Sequence, residues 1–221
     1  MYKIDLHTHT AECSPCGHLR ALDLVKQYAE AGYNGIVVTD HYYENRFDTF
    51  GEMSWKQKVD QYLVGYRTAK VLGRRFGLDV FLGIEYRDTS CVNDYIVLGL
   101  TEKFLYDHPY LYRGGIEAAC RVFHEAGAFV YQAHPCRRGM TDLENPTFLD
   151  GMEVHNGNPR HEHDEPRARH LATSHGLLFL SGSDTHRSED IGNGGILLEK
   201  KIRSSRELIR EIRAGRYTMI E

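Results

Sequence analysis

The sequence predicts an α/β domain whose parallel strands close into a barrel, and three observations carry that expectation. Short apolar runs alternate with longer amphipathic ones along all 221 residues, the pattern of repeated strand–helix units. A count of about seven such strands suits a closed barrel better than an open sheet. Five of the apolar runs also stop on histidine or carboxylate, and in a barrel all strand C-termini open on one face.

The first run, Tyr2-Lys3-Ile4-Asp5-Leu6, alternates like a short strand and ends in His7-Thr8-His9. Residues two apart in a strand point to the same side, so both imidazoles aim at one place. LRALDLVKQYAEAG has helical spacing and ends on Gly32, a natural C-cap. GIVVTDH reads as a strand ending in Asp40 and His41. A polar loop then leads to WKQKVDQYLVGYRTAKVLGRRFG, one long helix stopped by Gly77. DVFLGIE is a strand ending in Glu85, and DYIVLGL is a further strand.

In the second half, GIEAACRVFHEAG is a helix and AFVYQAHP a strand ending in His134. GMEVHN is a strand ending in His155 and Asn156, HDEPRARHLATSHG a helix, and LLFLSGSDTH a strand ending in Asp184 and His186. GGILLE, a helix over SSRELIREIRAG and a last strand RYTMI complete the chain. With no internal repeat, low-complexity tract or linker, residues 1–221 read as a single domain.

Composition excludes some classes of function. The chain is 41% hydrophobic and 26% charged, an ordinary globule. No apolar run approaches the ~20 residues that span a bilayer, and no leader opens the sequence, so no membrane partner and a cytoplasmic location are expected. Five scattered cysteines suit reduced thiols. The net charge of −4, without a block of lysine or arginine, argues against a nucleic-acid polymer as partner. Thirteen histidines are many for this length, and histidine is the commonest metal ligand.

His7, His9, His41, Glu85, His134, Asp184 and His186 make a set of candidate ligands larger than one tetrahedral zinc needs, which is about four. Two or three divalent ions are implied, and the mixture of imidazole with carboxylate points to zinc, manganese or iron. Ions roughly 3.5–4 Å apart can share a bridging hydroxide and clamp both oxygens of a displaced phosphate.

The motifs DLHTHT, TDH, GIE, AHP and GSDTH, in this order over nearly the whole chain, resemble those of the PHP (polymerase and histidinol phosphatase) superfamily. The resemblance implies a distorted (β/α)7, TIM-like barrel and a two- or three-metal site with phosphoesterase chemistry. It extends to histidinol-phosphate phosphatases, nucleotide phosphatases and the PHP domains of bacterial DNA polymerases. Carried over by motif, the same seven residues become metal ligands, and Asp40 orients rather than ligates. Two departures stand out. Where many members have Ser-Asp-Gly, this chain has TAECSPCG, so Glu12, Cys16 or neither takes the ligand role, with Glu12 favoured. Where trinuclear members have a histidine after the glutamate strand, NDYIVLG offers Asp94.

Other residues complete the candidate site. Arg137 should stand at the barrel mouth and contact phosphate, since the guanidinium fork suits phosphate, with Arg138 ranked below it. His155 and Asn156 could protonate a leaving group, orient substrate or support the ligands. Arg20, Arg46, Arg87 and Arg187 lie near strand ends and are not ranked by the sequence. The pair Cys13 and Cys16 reads as incidental, and His161, His163 and His170 as a solvated polar stretch. His18, His108, His124 and His175 read as surface or packing residues. Trp55 and the tyrosines of the long helix read as core, while the loop from Tyr42 to Trp55 could cover the mouth.

The expected function is a metal-dependent phosphoesterase acting on small phosphomonoesters or small phosphodiesters, histidinol-phosphate-like or nucleotide-like. The alternatives are hydrolysis of another bond, such as an amide, and a non-catalytic metal-binding accessory module. Specificity is expected in the loops 42–56, 86–94, 137–148 and 157–166.

Overall fold

The computed structural model of the molecule describes residues 1–138 and 145–221. The first half runs β1 (Tyr2–Thr8), α1 (Ala21–Glu30), β2 (Gly35–Val38), β3 (His41–Tyr42), α2 (Glu44–Asp48), α3 (Trp55–Tyr62), α4 (Val64–Phe76), β4 (Asp79–Tyr86), β5 (Tyr95–Leu98) and α5 (Glu102–Asp107). The second runs α6 (Ile116–Glu125), β6 (Phe129–Gln132), β7 (Gly151–Asn156), α7 (Glu165–Ser174), β8 (Leu178–Gly182), β9 (Gly195–Leu198), α8 (Ser205–Arg213) and β10 (Thr218–Ile220).

The strands form one sheet in the order β10-β9-β1-β2-β4-β5-β6-β7-β8, with β3 beside the end of β4. The sheet curls until its far edge meets β1. Thr8 bridges Thr185 in parallel, and the His9 N–H donates to the Thr185 carbonyl at 3.1 Å. The result is a nearly closed, distorted TIM-like barrel. It departs from an all-parallel one where β5 runs antiparallel to both β4 and β6, and where β9 and β10 run antiparallel beside β1. The short link from Tyr86 to Tyr95 contains no helix, and without a crossover helix the chain can only turn back.

Ile4, Leu6, Val37, Ile96, Phe129, Tyr131 and Leu180 form a buried interior cluster, joined from α8 by Leu208, Ile209 and Ile212. That helix therefore packs against the barrel's inner residues. Outside the sheet, Ile36, Val38, Ile84, Val97, Val130 and Met152 pack against the other helices. The expected long helix is broken in two at Leu63. A Cβ at Gly65, just past the break, would collide with the Thr10 side chain and reach Asp40 Oδ2 at 3.2 Å, so the glycine lets α4 approach the loop after β1. The loop from Tyr42 to Trp55 folds inward. Phe47 is buried, stacks on Trp55 at 4.9 Å, and lies beside Tyr42, Tyr62 and Tyr112. Among the described residues, no helix is long and apolar enough to cross a membrane.

Two irregularities decide what the strands present to the barrel. In β1 the register with β2 shifts between Asp5 and Thr8. Leu6 packs in the interior cluster, yet His7 reaches the interior too, so strict alternation fails there, as it does at a bulge. Asp5 Oδ1 accepts the His7 N–H at 3.1 Å. Between β7 and β8 a second shift falls at Glu153–His155.

Candidate metal centre

The C-terminal ends of β1, β4, β6 and β8, with the start of β3, bring His7, His9, His41, Glu85, His134, Asp184 and His186 together. The ring centroids of His9 lie 5.1 Å from His7, 4.6 Å from His41 and 4.3 Å from His186. Glu85 is the hub, with His41 Nδ1 at 2.6 Å, His134 Nε2 at 3.0 Å, His9 Nε2 at 3.4 Å and His7 Nε2 at 3.5 Å. Asp184 Oδ1 stands 3.4 Å from His7 Nε2 and 3.3 Å from His9 Nε2. His134 and Asp184 lie just past the ends of their strands with φ of 30° and 52°, a left-handed backbone that turns both side chains into the cluster.

The buried atoms His7 Nε2, His9 Nε2, His41 Nδ1 and Glu85 Oε2 make no well-aligned hydrogen bond among the described residues, although His41 Nδ1 and Glu85 Oε2 stand 2.6 Å apart. Buried polar atoms are ordinarily satisfied, so four in one cavity call for a cation. Their donor types and mutual spacing form four overlapping sets: His9–His41–His186, His7–His9–Glu85, His7–His134–Asp184 and Glu85–Asp94–His134. The residues present therefore fit a divalent metal centre.

Charge is divided across the cluster. Burial works against ionising Glu85 and Asp184, but neighbouring imidazoles hold both well below the usual carboxylate range. Burial likewise works against protonating His7, yet Glu153, Asp184 and Glu85 push it well above the imidazole range. His9, buried and facing His186 and His41, is held well below it.

Supporting groups fix the ring orientations. Glu153, fully buried, takes His7 Nδ1 at 2.9 Å and accepts the His134 N–H at 2.8 Å. A Cβ at Gly182 would lie 2.5 Å from His7 Cβ and 2.7 Å from Glu153 Oε1, so only glycine leaves room for this pair. Asp40 accepts from Thr10 N–H, Thr10 Oγ1 and Ser14 Oγ at 2.7–2.8 Å, and Ser14 in turn meets His9 Nδ1 at 3.2 Å. Asp40 thus sits behind His9. Fixing one ring nitrogen from behind turns the other toward the cluster.

Sequence reasoning missed Glu153, Ser14 and Asn158. Glu153 was signalled by a lone charge inside the apolar run GMEV. Asn158 Nδ2 donates to the Asp184 carbonyl at 3.2 Å, a contact with no sequence signal.

Three expectations need correction. Both Glu12 oxygens accept the Ala21 N–H, at 3.0 and 3.2 Å, so the carboxylate satisfies the start of α1 and does not join the cluster. Glu12→Ala should accordingly destabilise the fold by about 0.5–2 kcal/mol while bound metal, measured by elemental analysis, stays at the wild-type level. A fall in metal content would return Glu12 to the ligand set. His155 is turned outward by the shift between β7 and β8. Its Nδ1 meets Glu165 at 2.6 Å and its Nε2 the Asn193 carbonyl at 2.8 Å, leaving no nitrogen for a leaving group. Cys16 is not incidental: its Sγ lies 3.1 Å from both His41 Nε2 and His186 Nε2. Burial raises this thiol's pKa, but hydrogen bonds with His186 and His41 bring it down to about 6.

The remaining candidates fall in or near the same cavity. Asp94 is buried, gripped through both oxygens by Arg87 at 2.6 Å, and stands 3.8 Å from His134 Nε2. Asn156 donates to Glu153 and accepts from Arg137 at 3.0 Å, while Arg137 also reaches Asp184 Oδ2 at 2.8 Å. The cavity holds about 470 Å³, and Arg87, Arg137, Arg138, Arg160, Arg187 and His161 line it beside the cluster. Arg20 and Arg46 do not line it. Of the expected specificity loop 137–148, residues 139–144 lie outside the described residues.

Comparison with known proteins agrees with this architecture. A family model described as PHP-associated (PHP_C) matches residues 162–217, from the segment before α7 to the residue before β10. A search of curated proteins finds no match. Among solved structures, a two-domain Bacteroides vulgatus protein containing a predicted PHP-like metal-dependent phosphoesterase superposes with a TM-score of 0.67 at 17% identity. The alignment covers 99% of this chain and 64% of that protein, so this chain spans under two thirds of its length. An amidohydrolase from Chromobacterium violaceum with bound sulfate gives 0.57 at 16% identity, covering 99% and 98%. A lesion-specific endonuclease from Pyrococcus furiosus gives 0.62 at 14%, covering 99% and 57%. At such identities the likeness is one of fold. The matched family segment, confined to residues 162–217, points the same way.

Proposed function

We propose that the chain is a metal-dependent phosphoesterase acting on small phosphomonoesters or phosphodiesters. In this reading His7, His9, His41, Glu85, His134, Asp184 and His186 hold two or three ions of the zinc, manganese or iron class. The observation that carries it is the coincidence of unpartnered buried donor atoms with five arginines around one small cavity. When bound, such ions supply Lewis acidity and bring the pKa of water to about 7. The protein's own groups do the rest. Glu153 holds His7, and the Asp40–Ser14 pair holds His9, each with its other ring nitrogen turned toward the cluster. Arg137 anchors Asp184 Oδ2 and offers its remaining N–H groups to an anionic oxygen, as Arg138 can from further out. A cavity of about 470 Å³ suits a small ester.

The test is to strip the protein with a chelator and reload it with zinc, manganese or iron(II). Hydrolysis is then followed on sugar phosphates, amino-alcohol phosphates, nucleotides, damaged oligonucleotides and N-acyl amides. The expected result is metal-restored hydrolysis of small phosphate esters. Turnover confined to oligonucleotides would instead favour an activity like that of the Pyrococcus furiosus relative. Turnover confined to amides, or undiminished turnover after stripping, would overturn the proposal.

A further inference from the structure

The His9–His41–His186 face of the cluster shares Glu85 and Asp184 with the rest of the centre and has a place that Glu12, committed to α1, does not fill. Cys16 occupies that opening. The loop Thr10–His18 is tied back by the Ser14 N–H to the Thr10 carbonyl at 2.8 Å and by the His18 N–H to the His186 carbonyl at 2.8 Å. These ties put Sγ 3.1 Å from two imidazole nitrogens at the cavity wall. His186 Nδ1 donates to the Asp184 carbonyl at 2.8 Å, which turns its Nε2 toward the sulfur. His41 Nδ1 faces the Glu85 carboxylate at 2.6 Å, which turns its Nε2 toward the same sulfur. His9 Nε2, fully buried on the same face, has no hydrogen-bond partner.

The geometry points to Cys16 as a thiolate ligand that completes a metal site with His9, His41 and His186. This rests on the metal-centre reading given above. On binding, the sulfur–metal bond forms as the thiol proton leaves to solvent, and no electron transfer is involved. One soft sulfur beside three imidazoles biases this position toward zinc over manganese or magnesium.

The full chain, stripped of metal and titrated with cobalt(II), provides the test. The wild type should show tetrahedral-type visible bands together with a near-ultraviolet sulfur-to-cobalt charge-transfer band. Cys16→Ala should keep visible bands but lose the charge-transfer band, while Cys91→Ala keeps both. Zinc affinity should fall about tenfold or more in Cys16→Ala, and zinc should shield Cys16 from iodoacetamide in the wild type. Visible bands without charge transfer in the wild type, or a charge-transfer band that survives Cys16→Ala, would overturn the thiolate assignment and leave the metal centre standing. No cobalt spectrum in any variant would overturn both.

Discussion

Glu85→Gln should leave a folded protein with phosphate-ester turnover down by at least about 100-fold and with bound metal depleted. Four imidazoles approach this carboxylate within 3.5 Å, and three of them come from different strands. Glutamine has nearly the same volume, so the packing around Ile84 and Tyr86 is kept. The change removes the negative charge that offsets a cation and puts an amide donor where the imidazole lone pairs already converge. Colorimetric phosphate release and elemental analysis read the two effects separately. Full metal content with normal turnover would show that Glu85 is not the hub described here.

The second large effect concerns stability. Asp5 points away from the barrel interior and is fully buried. Its Oδ1 accepts the N–H groups of His7 and Ser183 at 3.1 Å, and its Oδ2 accepts the Tyr28 hydroxyl at 2.8 Å. Tyr28 also touches Ser183 and Thr185, so one carboxylate stitches β1, α1 and the segment after β8 at the seam where the barrel closes. Asp5→Ala strands three donors in a dry site and should cost roughly 3–5 kcal/mol, lowering the melting temperature by about 10 °C. Asp5→Asn keeps an oxygen for the two N–H groups, and Tyr28 can still donate to its hydroxyl neighbours, so it should cost only about 1 kcal/mol. Calorimetry distinguishes these outcomes. A melting temperature for Asp5→Ala within about 2 °C of wild type would mean that the seam is held elsewhere.

The sequence made the convergence of donors readable because each was the polar end of an apolar run, and a barrel gathers strand ends on one rim. His7-x-His9 did converge, although not by simple alternation, since the bulge between Asp5 and Thr8 re-aims His7. The same kind of irregularity defeated the reading of His155, because period-two logic cannot foresee where a strand gains a residue. The sequence favoured Glu12 over Cys16, but the turn through Ser14 and Gly17 carries Cys16 to the imidazoles while Glu12 caps α1. The antiparallel β5 was hidden because an apolar run carries no mark of direction. The arginines of the mouth are spread from residue 87 to residue 187, so no local count of basic residues could reveal them.

Positive φ at two donor positions restricts how this centre can be retuned. Left-handed backbone is inexpensive for glycine and tolerable for asparagine, aspartate and histidine, whereas branched or bulky side chains pay more for it. Positions 134 and 184 already hold two members of that short alphabet. Exchanges among those four residues could alter hardness or charge while leaving the scaffold intact, but glutamate or threonine would strain the main chain before any ion was chosen. Selection for a different element should therefore act more readily at 16, 41 and 85, where no such restriction applies.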